Sequence, residues 1–460
     1  MKTARSSRSI LRTTESVCPK YSAPLPATIV ADEEGVFMEK RCPQHGDFRV
    51  RLSATPDLYA ELDGFYCSLM GQAQPCFDYE IWPTLRCNMN CAICFFGCPR
   101  ESSGLLEPTL HAIEQFVRQD THPFYCLSGA EATVRDDLPD IIRVLKKHRK
   151  AVTLNTNGAR FGDESYLLKL KDAGLDRVIL QCDGFDSRVS LVMRGVDVVS
   201  QREHVLALLE KHRMPTALSS TIARGLNEHT VSELLDYALA HPFINGIAFL
   251  SIAFDGGARN WSQERYMMPD EVIDVVCRVP GYNVRKENVH RFQKLHFAIK
   301  AFLKHRACLY NQLYVLVRRR GSFEPIDAFV NLAKAEPWLD RYRHAYTGKK
   351  HGLGAVYLGL AVLCLCCHRR ILVLARELIG SGLSYFFRTS RYLRTSRLLA
   401  LSFTTSCDPY KLDKTILQNC QNEIMAADQT PDSLRPIGRE GAYFVNLEKR
   451  HCESKNRGKP

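Results

Sequence analysis

The sequence predicts an α/β protein, an open partial (βα)6 parallel barrel. A small metal-knuckle-like unit precedes it and a mainly helical C-terminal region follows. Three observations predict this: six strand-like apolar runs alternating with amphipathic stretches, polar turns where those runs end, and three cysteines in the loop after the first run. Parallel strands need long crossovers, normally helical, so this alternation is the rhythm of βα units.

The strand-like runs are Tyr79–Pro83, Pro123–Leu127, Ala151–Asn155, Arg177–Gln181, Thr216–Ile222 and Gly246–Ile252. Helical periodicity falls at Pro108–Gln119, Leu138–Lys147, Glu164–Ala173, Gln201–Lys211, Val231–Ala240 and Pro269–Val276, several with an acidic or hydroxyl residue near the start. The expected organisation is a disordered arm over residues 1–15, a cysteine-containing knuckle over 16–76, and the barrel over 77–262. A helical region over 263–348, basic apolar helices over 349–400 and a tail over 401–460 complete it.

Composition narrows the function. With 45% hydrophobic and 24% charged residues in 460, neither wholesale disorder nor a polytopic membrane protein is indicated. The 18 cysteines lack the spacing of a secreted disulfide framework, and Met1–Arg12 lacks the apolar stretch of a secretory signal. A reducing cytoplasm is therefore expected, with thiols serving as metal ligands and core residues. The net charge of +12 sits largely in the C-terminal half among Leu, Val, Tyr and Phe, without a nucleic-acid-binding signature. No nucleic-acid partner is expected; an anionic membrane surface or an acidic partner fits the charge at least as well. The apolar runs Gly352–Cys367 and Ile371–Phe387 are shorter than the ~20 residues of a spanning helix, so they read as an interfacial or buried pair.

The chemistry concentrates in Cys87-Asn88-Met89-Asn90-Cys91-Ala92-Ile93-Cys94. Iron–sulfur clusters are held by cysteine thiolates and normally take four. Three thiols in a loop at a barrel mouth leave one iron open to a cofactor; zinc binding or simple packing is the competing account. Downstream, Ser128-Gly129-Ala130-Glu131 follows the second run and Leu154-Asn155-Thr156-Asn157-Gly158 ends the third. Gln181-Cys182-Asp183-Gly184 ends the fourth, and Met193-Arg194-Gly195 lies beyond it. Polar groups at C-terminal strand ends are where ligands collect in parallel sheets.

These motifs together resemble the radical S-adenosylmethionine superfamily. The resemblance implies a [4Fe–4S] cluster on Cys87, Cys91 and Cys94, S-adenosyl-L-methionine on its open iron, and an electron donor such as a flavodoxin or ferredoxin. It implies cofactor contacts from Ile93, Gly129, Ala130, Glu131, Asn155, Thr156 and Gln181, with Arg194 pairing the methionine carboxylate. Ala130 stands where the family has a second glycine, which is tolerable if the backbone there does not need positive φ.

Cys18-Pro19, Cys42-Pro43-Gln44-His45-Gly46 and Asp255-Gly256-Gly257-Ala258-Arg259 resemble one branch, that of tetraether lipid synthases and pterin-methylating proteins. Tyr21 replaces the second cysteine of the branch's first pair, and its Cys-rich terminus is reduced to Cys407, Cys420 and Cys452. A second metal or cluster would draw on Cys18, Cys42, Cys67 and Cys76, with His45 in reserve. Three functions follow as expectations. The first is C–H activation leading to carbon–carbon bond formation on a lipid chain, by an enzyme lying peripherally on the membrane. The second is methyl or methylene transfer to a small pterin-like heterocycle, and the third a non-catalytic iron–sulfur binding protein.

Overall fold

The computed structural model describes residues 8–20, 23–71, 78–96, 106–319, 321–375, 397–420, 422–428 and 430–436. The chain opens with an antiparallel meander of four strands, β1 (Ser9–Val17), β2 (Pro24–Asp32), β3 (Gly35–Cys42) and β4 (Gly46–Ser53). Residues 9–15, expected in a disordered arm, are therefore part of a strand. Arg12 on β1 is the reason: it bridges Asp63 at 3.0 Å and Asp413 at 2.6 Å, tying the arm to two distant segments.

Helix α1 (Pro56–Leu69) leads into β5 (Asp78–Thr84). There follow α2 (Leu110–Gln119), β6 (Phe124–Gly129), α3 (Leu138–Lys147), β7 (Ala151–Thr156), α4 (Glu164–Ala173) and β8 (Arg177–Gln181). Next come α5 (Ser187–Arg194), α6 (Val199–Lys211), β9 (Thr216–Ile222), α7 (Thr230–Ala240) and β10 (Ile244–Ser251). Strands β5 to β10 are all parallel and adjacent in order, as the apolar runs require. Local chemistry sets the ends: Asp163 caps α4 by accepting from Ser165 N–H, and Gly174 closes it in the left-handed region.

The region beyond Asn260 departs from its helical expectation. Helices α8 (Pro269–Arg278) and α9 (Lys286–Phe302) are followed by a hairpin of β11 (Asn311–Arg319) and β12 (Ser322–Pro325). After α10 (Leu332–Thr347) and α11 (His351–Cys366), β13 (Leu398–Thr404) inserts between β10 and β11. Strands β14 (Asn422–Asp428) and β15 (Thr430–Pro436) extend the opposite edge beside β5. Among the described residues the barrel sheet thus holds 11 strands, and the expected tail supplies one edge of it and an inner strand near the other. Leu313–Val317 is an unbroken apolar run, which suits a helix or a strand until its partners are known.

Among the described residues no helix is long and apolar enough to cross a membrane. Most of the second apolar run, 376–387, lies outside the described residues.

The register separates two faces of the sheet. In one row Leu180, Leu218, Ile247, Leu401 and Tyr314 lie side by side, and each is at most 1% exposed beneath the helices. The neighbouring row, Gln181, Ser219, Ala248, Ser402 and Leu313, is only half-buried. Ala400, in the middle of a central strand, is exposed. Side chains alternate between faces along a strand, so one face is the sealed core and the other lines an open interior.

Candidate active site at the barrel mouth

The loop after β5 carries Cys87, Cys91 and Cys94 to the C-terminal edge of the parallel strands. The three thiols sense one another's charge, and burial pushes the Cys87 thiol up to about 11. The loop is seated from two sides. Ile93 N–H donates to Met193 O at 3.4 Å, while Gly257 N–H donates to Cys94 O at 2.7 Å. A Cβ at Gly257 would lie 2.9 Å from Ala92 O and 3.0 Å from Cys91 O, so the loop backbone occupies the space a side chain would take. Ile93 is buried among Val189, Met193, Ala258 and Phe254, together with Ala27, Ile29 and Met38 of the meander. Its side chain anchors the loop, because this apolar cluster joins the meander to it.

Gly129 ends β6 with φ +94, and a Cβ there would lie 2.7 Å from Thr84 O. Ala130 is not among the positive-φ residues, which explains why alanine is accepted at that position. Ala130 N–H donates to Thr84 O at 3.3 Å, and Glu131 N–H donates to Arg86 O at 3.1 Å. The Glu131 side chain is 1% exposed and turned inward. It accepts from Thr156 Oγ1 at 2.7 Å, Asn157 N–H at 2.7 Å and Thr133 N–H at 3.2 Å, and burial raises its carboxyl against the lowering pull of these donors. Glu131 and Thr156 therefore brace the β6 and β7 ends from behind, not from the mouth. Strand alternation carries the signal: Thr156 shares a phase with the buried Val152 and Leu154, whereas Asn155 has the opposite phase.

Asn155 is exposed to the interior and donates to Ser128 Oγ at 3.3 Å. Gln181 is held between two groups, accepting from Arg202 Nη2 at 2.6 Å and donating to Asp183 at 2.6 Å. Arg202, 1% exposed, also donates to Asn157 O. Asn157 in turn donates to Asn88 Oδ1 at 2.7 Å and approaches Cys87 Sγ at 3.9 Å.

Arg194, expected to meet a carboxylate of the cofactor, forms a two-pronged pair with Asp183 at 2.7 and 2.8 Å and borders Cys91. Asp183 also accepts from Thr221 N–H at 2.9 Å. Asp183, which has no role among the expected cofactor contacts, joins β8, α5 and β9 beneath the cluster loop.

In the meander, Cys18 and Cys42 each lie 3.4 Å from His45 Nδ1, and the three donor atoms fall within 4.8 Å of one another. Burial works to raise the Cys42 thiol, but hydrogen bonds from His45 and the adjacent backbone bring it to about 7. Cys67 is not in this group: it sits on α1 beside Asp63, whose helix packs into the barrel core. Cys76 lies outside the described residues. Two soft donors and an imidazole at this separation suit a tetrahedral zinc ion.

Comparison with known proteins agrees with this geometry. Residues 81–238 match the Radical SAM superfamily, and residues 10–54 match the HMPTM N-terminal zinc ribbon domain. The chain is 27% identical over 361 residues to a 7,8-dihydro-6-hydroxymethylpterin dimethyltransferase of Methanocaldococcus jannaschii, covering 69% of this chain and 71% of that protein. A probable GTP 3′,8-cyclase of Pyrococcus abyssi is 31% identical over 172 residues, covering 36% of this chain and 54% of its own length. Streptococcus suis SuiB bound to S-adenosylmethionine superposes over 47% of each chain, with a TM-score of 0.37 and 14% identity. The matched strands are those whose ends gather the three thiols and the polar turns, and on that ground residues 81–238 form a radical SAM domain and the chain is a radical SAM enzyme.

Proposed function

We propose that this enzyme transfers a methyl or methylene group to a small polar heterocycle of the pterin type. The observation that carries this reading is the open face of the sheet, where Ser128, Asn155, Gln181, Ser219, Ser402 and Thr404 present amides and hydroxyls. Specific small-ligand sites place a few polar groups to fix orientation, and a face with this many hydrogen-bonding groups suits a heterocycle better than an alkyl chain. The names of the relatives support it, since a pterin and the guanine of GTP share a 2-amino-pyrimidin-4-one ring.

When bound, the cluster and S-adenosylmethionine supply a 5′-deoxyadenosyl radical. The chain's own residues position and enclose. Cys87, Cys91 and Cys94 hold the cluster, the Gly129–Ala130 backbone and the side chains of Asn155 and Gln181 border the cofactor, and Asp183 fixes Arg194 beneath the loop. The test is anaerobic reconstitution with dithionite, S-adenosylmethionine, 7,8-dihydro-6-hydroxymethylpterin and a methylene-bearing reduced folate or pterin as the one-carbon donor, because the S-adenosylmethionine cleaved to the radical keeps its own methyl on methionine. 5′-Deoxyadenosine release with a pterin gaining the mass of a methyl group is expected. Abundant 5′-deoxyadenosine with an unaltered pterin sinks the reading.

The meander holds zinc through Cys18, Cys42 and His45 in the same reading. Metal analysis of the purified chain is expected to give about one zinc per chain. In Cys18→Ser/Cys42→Ser the zinc should fall to background while the cluster iron stays. Equal zinc in both proteins would exclude this site.

A further inference from the structure

We infer that Asn311, Ser402 and Thr404 form the recognition site for the heterocycle's lactam edge, an inference that rests on the reading above. The three residues come from β11 and β13, the strands that complete the open face opposite the cofactor side. Thr404 and Asn311 are register partners, and the same row continues through Leu250 to Thr221 at the end of β9. Asn311 Oδ1 accepts from Ser402 Oγ at 2.7 Å and from Thr404 Oγ1 at 2.9 Å, and the two hydroxyls are 2.9 Å apart. Both hydroxyls are half-buried on the open face, and the floor beside them is kept low by Ala248 and the exposed Ala400.

This arrangement fixes polarity as well as position. With both hydroxyl hydrogens turned to Asn311 Oδ1, in place of the hydrogen bond the two hydroxyls could share, Ser402 and Thr404 keep their lone pairs and act as acceptors. With its oxygen engaged, the Asn311 amide has N–H groups to offer. The cluster therefore reads acceptor, acceptor, donor. A 2-amino-pyrimidin-4-one presents the complement, two N–H donors from the amino group and the ring nitrogen beside one carbonyl acceptor. A ring lacking the amino group leaves a hydroxyl without its donor, and a site built for hydrogen bonds discriminates against such an analogue.

The experiment uses the full chain with its cluster reconstituted and S-adenosylmethionine present. Equilibrium binding is measured for 6-hydroxymethylpterin and for the matching 2,4-dioxopteridine, which has a carbonyl in place of the amino group. The unaltered chain should favour the pterin by about tenfold or more. Ser402→Ala, a minimal change at a half-buried position, should weaken pterin binding by about tenfold and reduce the preference; Asn311→Asp should weaken it at least as much. Thermal melts identify any variant that fails to fold, and Ser402→Ala then decides the matter. Pterin binding that ignores both substitutions, or equal affinity for the two pteridines, overturns this inference and leaves the proposed function standing. If the unaltered chain binds no pteridine, the proposed function falls and this inference with it.

Discussion

Cys91→Ala is expected to leave a folded protein that carries no stable [4Fe–4S] cluster and releases no 5′-deoxyadenosine; Cys87→Ala and Cys94→Ala should behave alike. The chain supplies three thiolates where such clusters normally take four, so no ligand is in surplus and each loss leaves a second iron unheld. The loop stays in place in these variants because its seat is made by backbone and packing. Gly257 N–H on Cys94 O and Ile93 among Val189 and Met193 do not depend on the sulfurs. Iron and sulfide analysis beside circular dichroism checks the expectation. A variant with full iron and undiminished 5′-deoxyadenosine release would show that the three thiols do not form the site.

The second large effect belongs to Asp183. Asp183→Ala removes both prongs from Arg194, together with the acceptor for Gln181 and for Thr221 N–H, leaving a guanidinium that is 9% exposed without its partner. Breaking one side of a buried ion pair costs about 3–5 kcal/mol, because the remaining charge is left desolvated. The freed Arg194 also borders Cys91, so the cluster loop should be disturbed along with stability. Denaturant unfolding should shift to a markedly lower midpoint and cluster loading should fall, with Asp183→Asn less damaging because it keeps the shape and one acceptor. A shift below about 1 kcal/mol would mean that the pair contributes little beyond a surface bridge.

Much of the barrel is legible in the sequence. The ends of β8 and β9, and of α3 and α4, fall where apolar periodicity and helix-end residues put them. These elements pack against sequence neighbours, so local pattern and tertiary position agree. Strands β11, β13 and β14 were not legible as parts of the same sheet. Ala400–Thr404 pairs with Gly246–Leu250, and no local pattern names a partner so distant. The site divides the same way. The cysteine spacing is covalent information and was read directly. The partners of Arg194, Glu131 and Thr156 depend on which groups folding brings alongside. Only Thr156 carried a usable local sign, its phase in β7. Cys67 stands apart from the other thiols because sequence spacing says nothing about the face of α1 on which a cysteine lies.

The position of β13 also orders events in time. Translation releases the cluster loop and the strands through β10 well before Leu398 leaves the ribosome, so for that interval β10 is a bare edge whose hydrogen-bonding groups await a partner. The wall carrying Ser402 and Thr404 is therefore a late part of the interior, and a nascent chain has the thiols for its iron centre before it has a chamber to contain what that centre generates.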